Sequence, residues 1–152
     1  MDNIDLKEYM VNKDKPKGDS SYGWGAGQQI EALQYYLDNE KVTFLAEWQE
    51  DDYQGECAVV FKVDNIFIIW RDSFGSCSGC DALEDEDGYA YISDTLREGN
   101  TKQFTSLDSM LEWVKNVEDY MWEHIRSSLL KLIDTAMGRI YPIQNRNPEG
   151  SA

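Results

Sequence analysis

Apolar residues change their spacing along this chain from helical to alternating and back to helical, and those changes predict its elements. From Gln28 to Asp38 the apolar positions Ile30, Leu33, Tyr36 and Leu37 fall three and four apart, predicting a helix of about three turns that ends near Asn39. The spacing then switches to two. Val42 to Gln49 alternates, with Phe44, Ala46 and Trp48 predicted on one face and Thr43, Leu45 and Glu47 on the other. Glu56 to Val63 and Ile66 to Asp72 form two further strands, joined at Asp64-Asn65, residues that tolerate the positive φ of a two-residue hairpin turn.

That turn fixes a register. Val63 faces Ile66, so paired positions sum to 129; Val59 then faces Trp70, and Cys57 faces Asp72. Cys57, Val59, Phe61, Val63, Ile66, Ile68 and Trp70 share one face of the sheet. Ala58, Val60, Phe67 and Ile69 make the opposite face apolar too, which places the pair centrally and covered on both sides.

Tyr89-Ala90-Tyr91-Ile92 is expected to form a short strand, Asp94 to Glu98 a helical turn, and Lys102-Gln103-Phe104 an edge strand. Thr105-Ser106-Leu107-Asp108 has the form of a capping box. After it, apolar residues from Leu107 to Met137 keep one helical face, with Gly138 placed as the C-terminal cap and Pro142 beyond it. One unbroken helix would reach about 50 Å. An internal cap at Asn116-Val117-Glu118-Asp119 makes two helices, 106–115 and 117–138, an equal expectation. An unbroken helix would leave its far half uncovered and imply a homodimer through that helix.

The expected architecture is therefore α+β: a three- or four-stranded antiparallel sheet packed against an N-terminal helix and one or two long C-terminal helices. Residues 1–26 read as an N-terminal arm, with Trp24 as its anchor, 27–140 as a single domain and 141–152 as a flexible tail. The N-terminus lacks the basic start and apolar middle of a secretory signal, and no apolar run reaches the ~18 residues of a membrane span, so a cytoplasmic protein is expected.

Charge changes the picture most. The chain carries 29 acidic and 14 basic residues, a net of −15, and 16 acidic against 4 basic residues lie between Asp38 and Glu98. Such a field repels nucleic acid and anionic membranes and attracts basic surfaces. Solubility alone is one use for it. The other is a partner-binding face, for which Glu47, Glu50, Asp51, Asp52, Glu84, Asp85, Glu86 and Asp87 are the candidates. The partner would be a basic protein, and direct nucleic-acid binding is not expected.

Little in the sequence points to catalysis. The single histidine, His124, lies in a helical stretch without a nucleophile or metal motif around it. Asp85, Asp87, Gly88 and Asp94 match positions of a calcium loop, but Leu83 stands where the first ligand belongs. The three cysteines hold more. Cys77-x-x-Cys80 is half of a zinc site, and the hairpin register brings Cys57 to the same end of the sheet, so Cys57, Cys77 and Cys80 with Asp81 or His124 would make a structural zinc site. A redox dithiol is the weaker use of the pair, because Asp72, Asp81 and Glu84 would raise a thiol pKa. Buried packing thiols in a tight glycine- and serine-rich turn are the third.

The block Asp52-Tyr53-Gln54-Gly55, followed by Asp72-Ser73-Phe74-Gly75-Ser76-Cys77-Ser78-Gly79-Cys80-Asp81, resembles a motif set in small uncharacterised bacterial and phage proteins. The resemblance covers about residues 42–115 and carries no assigned activity or catalytic residue. It implies a phage or mobile-element origin. The acidic excess between Asp38 and Glu98 and the lack of a catalytic set make a non-enzymatic acidic binding protein the leading expectation, and a phage-type inhibitor of a basic nucleic-acid-binding or defence protein of the host would fit. A thiol or metal protein, and a dimerising structural module, are the alternatives.

Overall fold

The central hairpin decides the architecture, and its register is the one that the Asp64-Asn65 turn dictates. The computed structural model describes residues 3–13, 24, 27–51, 54–75, 83 and 87–140. Strands β1 (Val42–Gln49), β2 (Gly55–Val63), β3 (Ile66–Phe74) and β4 (Thr101–Phe104) form one antiparallel sheet in the order β1-β2-β3-β4. Every β2–β3 pair sums to 129, from Val63 and Ile66 at the turn, where Asp64 takes a φ of 54°, to Gly55 and Phe74 at the far end.

Both faces of that hairpin are buried, so the molecule has three layers. On one face Cys57, Val59, Phe61, Val63, Ile68 and Trp70 pack under helices α1 (Gln29–Tyr36) and α2 (Gly88–Thr95). On the other, Ala58, Val60 and Ile69 pack under α3 (Leu107–Asn116), α4 (Tyr120–Glu123) and α5 (Arg126–Ile140). Each large side chain sealed in this way contributes about 1.5–3 kcal/mol. This is the α+β arrangement expected from the sequence, with four strands.

The first described residues belong to the core. A 3₁₀ turn at Leu6–Tyr9 buries Leu6, and Met10 bridges to Leu37. The Gln103 side chain on β4 binds the Ile4 backbone twice, accepting from its N–H and donating to its carbonyl, both at 2.9 Å. Trp24 donates to the Tyr36 hydroxyl at 3.1 Å and stands against Gly88, where an added Cβ would come within 2.6 Å of the indole. Trp24 is thus an anchor, as expected, and Gly88 is the residue that makes room for it. The predicted tail, 141–152, lies outside the described residues.

Four local expectations are corrected. The alternation of β1 breaks at a bulge between Phe44 and Ala46. Phe44 therefore meets Phe61 on the α1 face, whereas Leu45 and Ala46 both turn toward α5, with Trp48 packed against the same cluster. Residues 89–92 are helical: Asp87 caps α2 by accepting from the Tyr89 N–H, and Ile92 and Thr95 reach the core at helical spacing. The cap of α3 is Ser106, which accepts from the Ser109 N–H at 3.0 Å, one residue beyond the Thr105 expected.

The last correction concerns the long helical stretch, which is broken twice. Val117 is extended with ψ 135°, Asp119 starts α4 by accepting from the Met121 N–H, and α5 runs through Gly138 to Ile140. Arg126 secures the first break by donating to the Val114 and Val117 carbonyls, groups that the end of α3 leaves unpaired. With the stretch folded back on the sheet, the length argument for a homodimer falls away.

Candidate functional site

The pairing of Gly55 with Phe74 brings the turn before β2 and the chain after β3 to one end of the sheet. Different chemistry collects there on the two faces, because neighbouring residues of a strand point opposite ways.

On the α2 side lie Cys57 and Asp72. Cys57 is fully buried, and its thiol approaches the Asp72 carbonyl at 3.6 Å. Burial, reinforced by the Asp72 charge, pushes that thiol far above its ordinary value. A group held so firmly as S–H is a small core residue and a poor nucleophile. The Asp72 carboxylate accepts from the Tyr91 hydroxyl at 2.6 Å, which ties α2 to β3.

On the opposite side lie Glu56, Arg71 and His124. Arg71 is only 3% exposed and donates to Glu56 Oε1 through Nε at 3.2 Å and through its terminal nitrogen at 2.6 Å. The other Glu56 oxygen, Oε2, meets His124 Nε2. His124 Nδ1 points at the Tyr120 carbonyl at 2.5 Å, and its ring stacks on Tyr120 with centroids 4.6 Å apart. Burial lowers the His124 pKa, but the Tyr120 carbonyl, the Glu56 hydrogen bond and the Glu56 charge outweigh it and the net movement is upward. The geometry gives the reason: the imidazole lies between two acceptors, and only the doubly protonated ring can donate to both.

The predicted acidic residues separate into distinct places. Glu47 is exposed on β1 and accepts from Gln34 of α1 at 3.0 Å. Glu50 and Asp51 are exposed in the β1–β2 turn, where Glu50 accepts from the Glu56 N–H at 2.7 Å. Asp87 is exposed at the cap of α2, which occupies the carboxylate proposed for a calcium loop. Asp52, Glu84, Asp85 and Glu86 lie outside the described residues, as do Cys77, Cys80 and Asp81 of the possible zinc site. Among the described residues no three His, Cys, Asp or Glu side chains are grouped to hold a metal. No helix among them is long and apolar enough to cross a membrane.

The sequence reading missed the acidic stretch Glu118, Asp119 and Glu123, which is exposed and brackets Tyr120 and Met121. Those two are the large apolar side chains left exposed among the described residues, at 68% and 47%. A chain of contacts joins them to the predicted acidic turn: Glu50 holds the Glu56 backbone, Glu56 holds His124, and His124 holds and stacks on Tyr120. Residues nearly 70 positions apart thus share one end of the molecule. The signal available in the sequence is the pair of apolar neighbours, Tyr120-Met121, set within an acidic stretch.

Ion pairing is sparse. Among the described residues both salt bridges end on Glu56. The exposed carboxylates of Glu47, Glu50, Asp51, Glu118, Asp119 and Glu123 face solvent with no described cation within 4.0 Å. Two surface grooves, one between β1 and α5 beside Trp48 and Lys131 and one between β3 and α5 beside Phe67 and Met137, contain neither histidine nor cysteine among their described lining residues. No family model, curated protein or solved structure matches the chain.

Proposed function

We propose that this chain is a non-enzymatic binding protein whose acidic surface docks on a basic protein. The observation that supports the reading is sparse neutralisation among the described residues: with a net charge of −15, the exposed carboxylates of Glu47, Glu50, Asp51, Glu118, Asp119 and Glu123 have no described cation within 4.0 Å, and both ion pairs among described residues end on Glu56. An uncompensated field of this kind steers a positively charged partner and repels nucleic acid. The polar groups at the sheet end are engaged with one another, Glu56 with Arg71 and His124, and Asp72 with Tyr91, as structural networks are. A phage or mobile-element origin, which the resemblance of residues 42–115 implies, would make the partner a basic nucleic-acid-binding or defence protein of the host that a phage-type inhibitor blocks.

The test is affinity capture from a bacterial host at low salt, identification of the captured proteins, and calorimetry of the leading candidate at rising salt. Stoichiometric binding that weakens steeply with salt and is competed by DNA supports the proposal. Binding indifferent to salt, or stoichiometric affinity of the chain for DNA itself, removes it.

A further inference from the structure

The proposal of a basic partner leaves open which part of a broadly acidic molecule it touches. Charge alone does not single out a place, since carboxylates are exposed on most elements. Apolar exposure does. Tyr120 and Met121 are the large apolar side chains that stay open to solvent among the described residues, and they are adjacent. Apart from the stack of Tyr120 on His124, α4 does not draw on them: its cap is made by Asp119, and its core contribution is the buried Trp122, which packs edge-to-face on Trp113 with centroids 5.3 Å apart.

Tyrosine and methionine are residue types that interface centres favour, the first as a rigid anchor and the second as an adaptable one. Here the anchor is also oriented. One face of the Tyr120 ring rests on His124 with the planes 12° apart, and His124 is itself held by Glu56. The outer face of the ring is left for a partner. Glu118, Asp119 and Glu123 are exposed on the same stretch, and Glu50 and Asp51 are exposed on the turn that the Glu56–His124 contact links to it. An exposed aromatic face on an acidic stretch matches one side-chain chemistry: a guanidinium, which stacks on a ring and donates its N–H groups to neighbouring carboxylates.

We infer that the docking surface is centred on Tyr120 and Met121, with Glu50, Asp51, Glu118, Asp119 and Glu123 as its rim, and that it takes an arginine-bearing amphipathic segment of a partner protein. An arginine packs on the outer face of Tyr120, and an apolar residue of the same segment packs on Met121. The inference rests on the chain being a binder of basic proteins, and it adds the place and the residue type.

The test uses the full chain, labelled with ¹⁵N, and two synthetic probes: a short amphipathic peptide of arginine and leucine, and an oligolysine of equal charge. The expected result is that the arginine–leucine peptide perturbs the amides of 118–124 and 50–51. Tyr120→Ala and Met121→Ser should each weaken its binding by about tenfold while changing oligolysine binding far less. Because both side chains are exposed, an unchanged thermal midpoint verifies folding. Glu118→Gln with Glu123→Gln is a second variant that weakens the peptide without touching the ring. If the peptide binds but its perturbations fall elsewhere, or Tyr120→Ala binds it as well as the parent, the surface is wrong while the binding of basic partners stands. If neither probe binds at low salt, both proposals fail.

Discussion

Glu56 and His124 stand 68 positions apart and meet at the end of the sheet, Oε2 to Nε2, while the other oxygen of Glu56 holds the buried guanidinium of Arg71. One carboxylate thus joins β3 to the turn after α4. Removing it strands a cation that is 3% exposed. Glu56→Leu should destabilise the protein by about 3 kcal/mol, whereas Glu56→Leu combined with Arg71→Met should recover most of that loss, because the desolvated charge goes with its partner. Urea unfolding of the two variants and the parent measures the difference. Equal losses in both would mean that Arg71 is satisfied without Glu56.

His124 gives the same network a pH dependence. Its folded pKa is raised above the ordinary 6.5, so folding binds its proton more tightly than the unfolded chain does. The stabilisation is therefore complete below about pH 6.5 and is lost as pH rises through the raised value. The stability gap between the parent and His124→Gln should be widest in mildly acidic buffer and narrow at alkaline pH. A gap that stays constant across that range would show that the imidazole acts through packing alone.

Trp70 tests the opposite core. Its indole N–H donates to the Thr95 hydroxyl at 2.9 Å, and that hydroxyl donates to the Ile92 carbonyl at 2.7 Å, all in fully buried surroundings. Thr95→Val keeps the shape and removes the acceptor, and should cost about 1–3 kcal/mol, the penalty for a buried donor left unmade. Thr95→Ser keeps the acceptor and should fall closer to the parent in thermal midpoint. If valine is tolerated as well as serine, the hydrogen bond contributes nothing measurable.

Cys57 should be chemically silent. In a variant with Cys77→Ser and Cys80→Ser, the remaining thiol should react with a disulfide reagent at mildly alkaline pH at least about 100-fold more slowly than the unfolded chain, since it is sealed from solvent and held protonated. Reaction at a rate near that of the unfolded chain would reopen it as a functional thiol.

The parts of this fold that can be read from the sequence are those governed by neighbours. Asp64-Asn65 sets a turn, the turn sets a register, and the register assigns both faces of β2 and β3 without knowledge of the rest. The bulge in β1 was hidden because Phe44, Leu45 and Ala46 are all apolar, so a shift in alternation leaves no polar residue out of place. Residues 89–92 look like a strand for want of their tertiary context. Two tyrosines and an isoleucine favour the pleated state, and the Asp87 cap that decides for a helix is masked by the acidic run before it. The Glu56–His124 contact had no local signal, because a pairing between a strand and a helical turn depends on where the broken helices cross the sheet. The proposed docking surface is half visible in the sequence: charge marks its turn, whereas Tyr120 and Met121 fall among the apolar positions that the helical spacing from Leu107 to Met137 assigns to one buried face.

The clasp between Gln103 and Ile4 has a consequence for how the molecule is made. The amide of Gln103 behaves toward Ile4 as a second peptide group, yet it is synthesised 99 residues later. During translation Ile4 therefore waits for this partner while the residues of both central strands are already made, although Met10 and Val11 can already meet Leu37 and Tyr36. A chain halted before β4 would already contain the β2–β3 hairpin and the Leu37 partner of Met10, and would lack only the Gln103 side of the clasp on Ile4.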